Sequence, residues 1–106
     1  MLVERTVFQA KYGRGDELVA LFQELNGRLR DEMSGEQARR FRILTDASGH
    51  FFTVVTELEV ENFATWERIS GEAMKLPWMG EWFSRMIPLV EFGSREFYTI
   101  VEDSPR

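Results

Sequence analysis

The chain predicts an α+β domain of the ferredoxin-like kind, ordered β-α-β-β-α-β, with an extra short helix before the last strand. Three observations carry this. Hydrophobic residues switch between a period of two and a period of about 3.6 along the 106 residues. Turn-forming stretches rich in Gly, Asp or Pro punctuate the switches. No linker, repeat or low-complexity segment interrupts the chain, so residues 1–106 read as one domain.

The elements follow in order. Val3 to Lys11 alternates as a strand, with Val3 and Val7 on one face and Leu2, Thr6 and Phe8 on the other. "YGRGD" breaks it with Gly13 and Gly15. From Asp16 to Met33, Leu18, Leu21, Phe22, Leu25, Leu29 and Met33 recur at helical steps. Asp16 and Glu17 suit the positive end of that helix, and Glu24 with Arg28 forms a favourably oriented pair. "SGEQ", Ser34 to Gln37, ends it. "RRFRILTD" and "HFFTVVTELEV" then flank the short loop "DASG", Asp46 to Gly49, as a hairpin. Its second strand is apolar on both faces: Phe52, Val54 and Leu58 on one, Phe51 and Val55 on the other. A sheet with one wet face would alternate more cleanly, so both faces need a cover.

"ENFATWERISGEAM" gives a second helix with Phe63, Trp66, Ile69 and Ala73 inward. In "LPWMGEWFSRM", Pro77 opens a third, which Pro88 stops. Trp78, Trp82 and Met86 form one apolar row there and Met79 with Phe83 another, enough for two partners. "SREFYTIVE" alternates Phe97, Thr99 and Val101 against Tyr98 and Ile100 as the last strand. The helices cover one sheet face. The simplest cover for the other is a second copy of the same sheet, so a two-fold homodimer is expected, with Phe51, Val55 and Trp78 at its interface.

Composition excludes several function classes. With no cysteine there is no disulfide, thiolate metal site or cysteine nucleophile, and the absence fits a reducing cytoplasm. The net charge is −5 and the basic residues are scattered, the densest group being Arg39, Arg40 and Arg42, so no nucleic-acid partner is expected. "MLVERTVFQA" is charged at Glu4 and Arg5 and reads as no signal peptide. No apolar run approaches the ~20 residues of a membrane span, so no membrane partner is expected. Fourteen aromatic residues (nine Phe, three Trp, two Tyr) offer much area to bury.

The element order, "ENFATW" at the second helix, and "WFSRMIPLVEFGSREFYTIV" running into the last strand resemble dimeric α+β barrel proteins, specifically the NIPSNAP-like and antibiotic-biosynthesis-monooxygenase-like families. The resemblance covers nearly the whole chain. It implies a barrel-like dimer with a small pocket between sheet and helices in each subunit. Relatives of that kind include cofactor-independent oxygenases, heme-degrading monooxygenases, small isomerases and proteins of unknown activity. The heme-degrading members use an Asn on the first strand, a Trp on the second helix and a His shortly beyond it. Trp66 matches the Trp, but the first strand has no Asn, and Leu76 and Pro77 stand where the His would fall. The resemblance therefore does not extend to heme, and no cofactor is expected.

The remaining chemistry-bearing residues are few. His50 is the single histidine, at the hairpin exit, where it reads as a turn residue with general base as the sharper alternative. One histidine makes a metal site improbable. "GRGDE" lacks the spacing and the Lys of a phosphate loop and reads as a turn. Glu57 invites two readings: a buried acid with a raised pKa, or a salt bridge to Arg40 or Arg42 across the hairpin. Tyr98, with Arg95 and Arg5 as similar cases, could hydrogen-bond a ligand. The candidate catalytic groups are thus Glu57, Tyr98 and His50, and the candidate pocket residues are Phe52, Trp66, Trp82 and Phe83. Three functions fit: a cytoplasmic homodimer binding a small hydrophobic ligand, a cofactor-independent monooxygenase or isomerase acting on an aromatic compound, and a structural dimer module.

Overall fold

The computed structural model describes residues 1–33, 35 and 37–106. Strands β1 (Leu2–Ala10), β2 (Arg40–Thr45), β3 (Thr53–Val60) and β4 (Val90–Thr99) form one antiparallel sheet in the order β2-β3-β1-β4. Helices α1 (Gly15–Glu32), α2 (Phe63–Met74) and α3 (Met79–Met86) complete the chain. This is the expected ferredoxin-like arrangement, with α3 as the extra helix.

Register sorts the side chains. Opposite β1, Leu2 pairs with Val60, Phe8 with Val54, and Glu4 with Leu58. Paired residues share a face. Even-numbered residues of β1 and β3 therefore lie under the helices, where Leu2, Val54 and Val60 are buried. Odd-numbered ones, Val3, Arg5, Val7, Val55 and Glu57 among them, form the opposite face. The core is closed from above by Leu18, Leu21 and Phe22 of α1, Ile69 and Ala73 of α2, and Met79 and Trp82 of α3.

α1 follows its periodicity and ends at Met33, which is extended. Ser34 and Glu36, within the stretch expected to end it, lie outside the described residues. α2 starts because Asn62 Oδ1 accepts the Thr65 N–H at 2.9 Å, an N-cap bond that satisfies an otherwise orphaned donor. Its buried face is Thr65, Ile69 and Ala73. Phe63, expected inward, is instead exposed and leans on Phe97, with ring centroids 5.0 Å apart. It sits at the first residue of the helix, beyond the edge of the core.

The structure corrects three boundaries. The hairpin loop is longer than "DASG". It runs from Asp46 to Phe52, closed where Asp46 Oδ1 accepts the Thr53 N–H at 3.1 Å. Phe51 and Phe52 are thus loop residues, not strand residues. Phe52 takes a positive φ of 61°, which a bulky side chain rarely adopts. It is held by the Ala10 N–H donating to its carbonyl at 3.0 Å and by its ring pressing on Gly15, where a Cβ would stand 3.2 Å from Cδ1. Second, α3 opens at Met79. Pro77 belongs to the preceding turn, closed by the Met79 N–H donating to Leu76 O at 3.1 Å. Pro88 lies in a 3₁₀ turn, Ile87–Leu89, that continues the helix into β4. Third, β4 begins at Val90, ahead of the expected Ser94.

The Trp78–Trp82 row of α3 meets the subunit's own α1. Trp82 is 1% exposed and its Nε1–H donates to Leu21 O at 2.9 Å. Trp78 Nε1–H donates to Glu32 Oε1 at 2.9 Å, with the Arg28 guanidinium 3.9 Å above its ring. Truncating Trp82 to Ala should remove the wedge between α1 and α3 and cost about 3–5 kcal/mol. Urea unfolding monitored by circular dichroism would measure it, and an unchanged midpoint would show that Trp82 is not a core residue.

Candidate functional site

The helix layer does not seal the sheet completely. Between β1, β4, α1 and α3 lies an open-sided cavity of about 440 Å³, within the volume range of small-molecule sites. Each element contributes by its own periodicity. Phe22 and Leu25, three apart on α1, form one wall. Trp82, Phe83 and Met86 of α3 form another. Thr6 and Phe8, two apart on β1, form the floor. β4 completes it, because register places Gly93 beside Phe8 and Arg95 beside Thr6. The glycine relieves crowding at that spot: a Cβ on Gly93 would come 3.2 Å from Phe8 Cδ1 and 3.3 Å from Val7 O. The rings interlock, with Phe8 and Phe22 centroids 4.9 Å apart and Trp82 edge-on to Phe83 at 5.2 Å.

One end of the cavity is polar. Arg95 Nη1 lies 3.4 Å from Glu4 Oε2. The Arg95 guanidinium stands 5.1 Å over the Trp66 ring, which meets Phe97 edge-on at 5.1 Å. Glu4 is only 16% exposed. Burial pushes its carboxyl above the ordinary value, outweighing attraction by Arg95 and hydrogen bonding from Trp66 and Arg95. Trp66 Nε1–H has no hydrogen bond of regular geometry, although the Glu4 carboxylate is its nearby acceptor.

The structure separates the residues singled out from sequence. Trp82 and Phe83 line the cavity, Trp66 stands behind Arg95 at its polar end, and Phe52 lies away from it at the hairpin, edge-on to Tyr12 at 4.9 Å. Glu57 is on the opposite sheet face. Its Oε1 accepts from Arg42 Nε at 3.1 Å and from Arg42 Nη2, and its Oε2 from Arg5 Nη1 at 2.6 Å. Hydrogen bonding from Arg42, then from Arg5, holds its carboxyl below the ordinary value. Of the two readings of Glu57, the geometry supports the salt bridge and corrects the raised-pKa acid. Tyr98 is on the same face, half exposed, its hydroxyl donating to Glu96 Oε2 at 2.7 Å; that bond raises its pKa. His50 is exposed at the loop tip, where its carbonyl accepts from Thr53 Oγ1 at 2.9 Å. None of these three lines the cavity.

Val55 lies on the open sheet face as expected, while Phe51 is 68% exposed in the loop at one end. Trp78 packs on α1 at Glu32 and Arg28. Glu4 and Thr6 were not visible as site residues, because only the β1–β4 register joins them to Arg95. Among the described residues, no group of three His, Asp or Glu side chains is placed to hold a metal, and no helix is long and apolar enough to cross a membrane.

Neither a protein-family model nor a curated protein sequence matches the chain. Solved structures do. A NIPSNAP domain protein from Burkholderia xenovorans aligns over 100% of both chains at TM-score 0.80 and 19% identity. A NIPSNAP family protein of unknown function from Agrobacterium tumefaciens aligns over 99% of this chain and 92% of its own, at TM-score 0.80 and 13% identity. SnoaB, a cofactor-independent oxygenase from Streptomyces nogalater, aligns over 99% and 97% at TM-score 0.72 and 12% identity. The fold is therefore the one shared by NIPSNAP and antibiotic-biosynthesis-monooxygenase-like proteins, as the sequence resemblance implied.

The two carboxylates should leave opposite pH signatures. The depressed pKa of Glu57 gives stability that is present above the unfolded value and lost as pH falls through the folded one. Glu57→Gln should thus lower Tm at pH 7, with the gap to wild type closing in acid. Glu4, with its raised pKa, contributes stability that is full below the unfolded value and lost as pH rises through the folded one. Glu4→Gln should raise Tm at pH 7 and be neutral in acid. Thermal melts of both variants across that range measure the pair, and the same sign for both would contradict the assignment.

Proposed function

We propose that the protein is a cytoplasmic homodimer that binds a small hydrophobic molecule in the cavity between the sheet, α1 and α3. The observation that carries this is the cavity itself: aromatic and aliphatic on its walls, polar at one end, and positioned by four separate elements. The cysteine-free composition supports the compartment.

The dimer rests on the uncovered sheet face. An average monomer of 12.4 kDa exposes roughly 6,100 Å², whereas this chain exposes 7112 Å². Its radius of gyration is 14.2 Å, against about 13 Å for a compact domain of this length. It is a slab of 39 × 35 × 21 Å, one layer short of covering both faces of its sheet. Val55 at 8% exposure centres that face, and Arg5, Arg42 and Glu57 satisfy one another beside it. A second copy laid sheet to sheet would cover Val3, Val7 and Val55, with Glu57 already paired to Arg5 and Arg42 within each subunit.

A second reading is a cofactor-independent monooxygenase or isomerase of an aromatic compound. It draws on the likeness to the oxygenase and on Glu4, an ionisable group beside the cavity with a raised pKa that suits proton transfer. Under this reading Glu4→Gln abolishes turnover of a substrate it still binds. A structural dimer with an idle cavity is the third.

Two measurements decide between these. Light scattering should give about twice 12.4 kDa, and Val55→Asp should give a folded monomer; a monomeric wild type rejects the dimer. In calorimetry the neutral aromatic probe naphthalenemethanol should bind, and Phe83→Ala should weaken it about tenfold. No binding by the wild type would reject the cavity as a ligand site and leave the structural module.

A further inference from the structure

Among the side chains lining the cavity, Arg95 is the one that carries a charge. Its pairing with a carboxylate is also looser than that of Arg14, Arg85, Arg5 or Arg42. Arg14 grips Glu17 through two hydrogen bonds, at 2.6 and 2.9 Å. Arg85 reaches Glu24 at 2.9 Å and Glu81 at 3.1 Å. Arg5 and Arg42 share Glu57. Among the described residues, Arg95 meets a carboxylate at a single point, Nη1 to Glu4 Oε2 at 3.4 Å, near the long limit of a hydrogen bond. Its side chain remains 54% exposed, with the guanidinium carbon 5.1 Å over the Trp66 ring. Glu4, for its part, is driven toward its neutral form by burial, which weakens its claim on the guanidinium. The outcome is a positioned planar cation with donors to spare, at the mouth of an aromatic cavity.

We infer that the cavity selects an aromatic carboxylic acid, its ring system seated among Phe22, Trp82 and Phe83 and its carboxylate paired with Arg95. The planar guanidinium fork matches a carboxylate through two parallel N–H···O bonds, which a neutral hydroxyl cannot reproduce. Thr6, beside Arg95 in the strand register, offers one more hydroxyl to the same oxygens. Glu4 then sets the selectivity: while ionised it competes with the ligand for Arg95, and its removal favours the acid. This inference rests on the cavity being a ligand site and adds the class of ligand.

The test compares naphthoate with naphthalenemethanol, which differ in the anionic group alone, by calorimetry on the full chain. Wild type should bind naphthoate at least about tenfold more tightly, the worth of one charge-assisted hydrogen-bonded contact. Arg95→Gln should erase that preference while leaving naphthalenemethanol unchanged. Glu4→Gln should widen it. Phe83→Ala should weaken both probes alike. Equal affinity for the two probes in wild type overturns the inference and leaves the hydrophobic cavity standing. Binding of neither overturns both. A preference that survives Arg95→Gln, in a variant whose circular dichroism matches wild type, removes Arg95 from the role.

Discussion

β1 pairs antiparallel with β3 on one side and β4 on the other, and the rest of the structure depends on that double register. Because side chains alternate across a strand, one alignment decides the environment of every residue in three strands. It puts Leu2 against Val60 and Phe8 against Val54 beneath the helices, and sends Arg5 and Val7 to the other side with Glu57 and Val55. The same alignment brings Thr6 to Arg95 and Phe8 to Gly93. A slip of one residue would invert core and surface together, so the buried strip enforces the geometry of the cavity floor.

The two sheet faces handle charge differently. On the open face Glu57 is shared between two guanidinium groups, each of which keeps part of its surface in water. That carboxylate is satisfied and chemically quiet. On the helix face Glu4 is buried with one distant arginine contact and an indole nearby, so the folded state leaves it short of compensation. Core packing would not favour an imperfectly matched acid at that place. The mismatch stands beside a cavity whose aromatic walls are otherwise well packed, where incomplete pairing leaves Arg95 available to a third group.

Trp82 illustrates how α3 serves both core and site. Its indole wedges under α1 and bonds to Leu21 O, which anchors the helix. Phe83 and Met86, one and four residues further along the helix, are thereby held at the cavity wall without being sealed into the core. Within the subunit each apolar row contributes to both surroundings: Met79 and Trp82 are buried in the core, and Trp82, Phe83 and Met86 line the cavity. Of the residues marked as candidates, Trp82 and Phe83 could be placed because helical spacing is local and strong. Glu57, Tyr98 and His50 could not, since a polar residue on a strand has the same appearance whether its partner is a ligand, an arginine or water. Phe52 was misread because a continuous apolar run hides a turn when the φ > 0 position is filled by an aromatic residue instead of glycine.

The sequence by itself determined the element order, the inward stripes of α1 and α3, and the absence of thiol chemistry. All of these depend on short-range periodicity or on composition. Only the tertiary structure decided where the hairpin ends, that Glu57 is neutralised by Arg5 and Arg42, and that Glu4, Thr6 and Arg95 gather at the end of an aromatic cavity. Glu4 and Arg95 lie at opposite ends of the chain. Their meeting follows from strand pairing across the whole domain, which the cooperative burial of the core selects and no local pattern encodes.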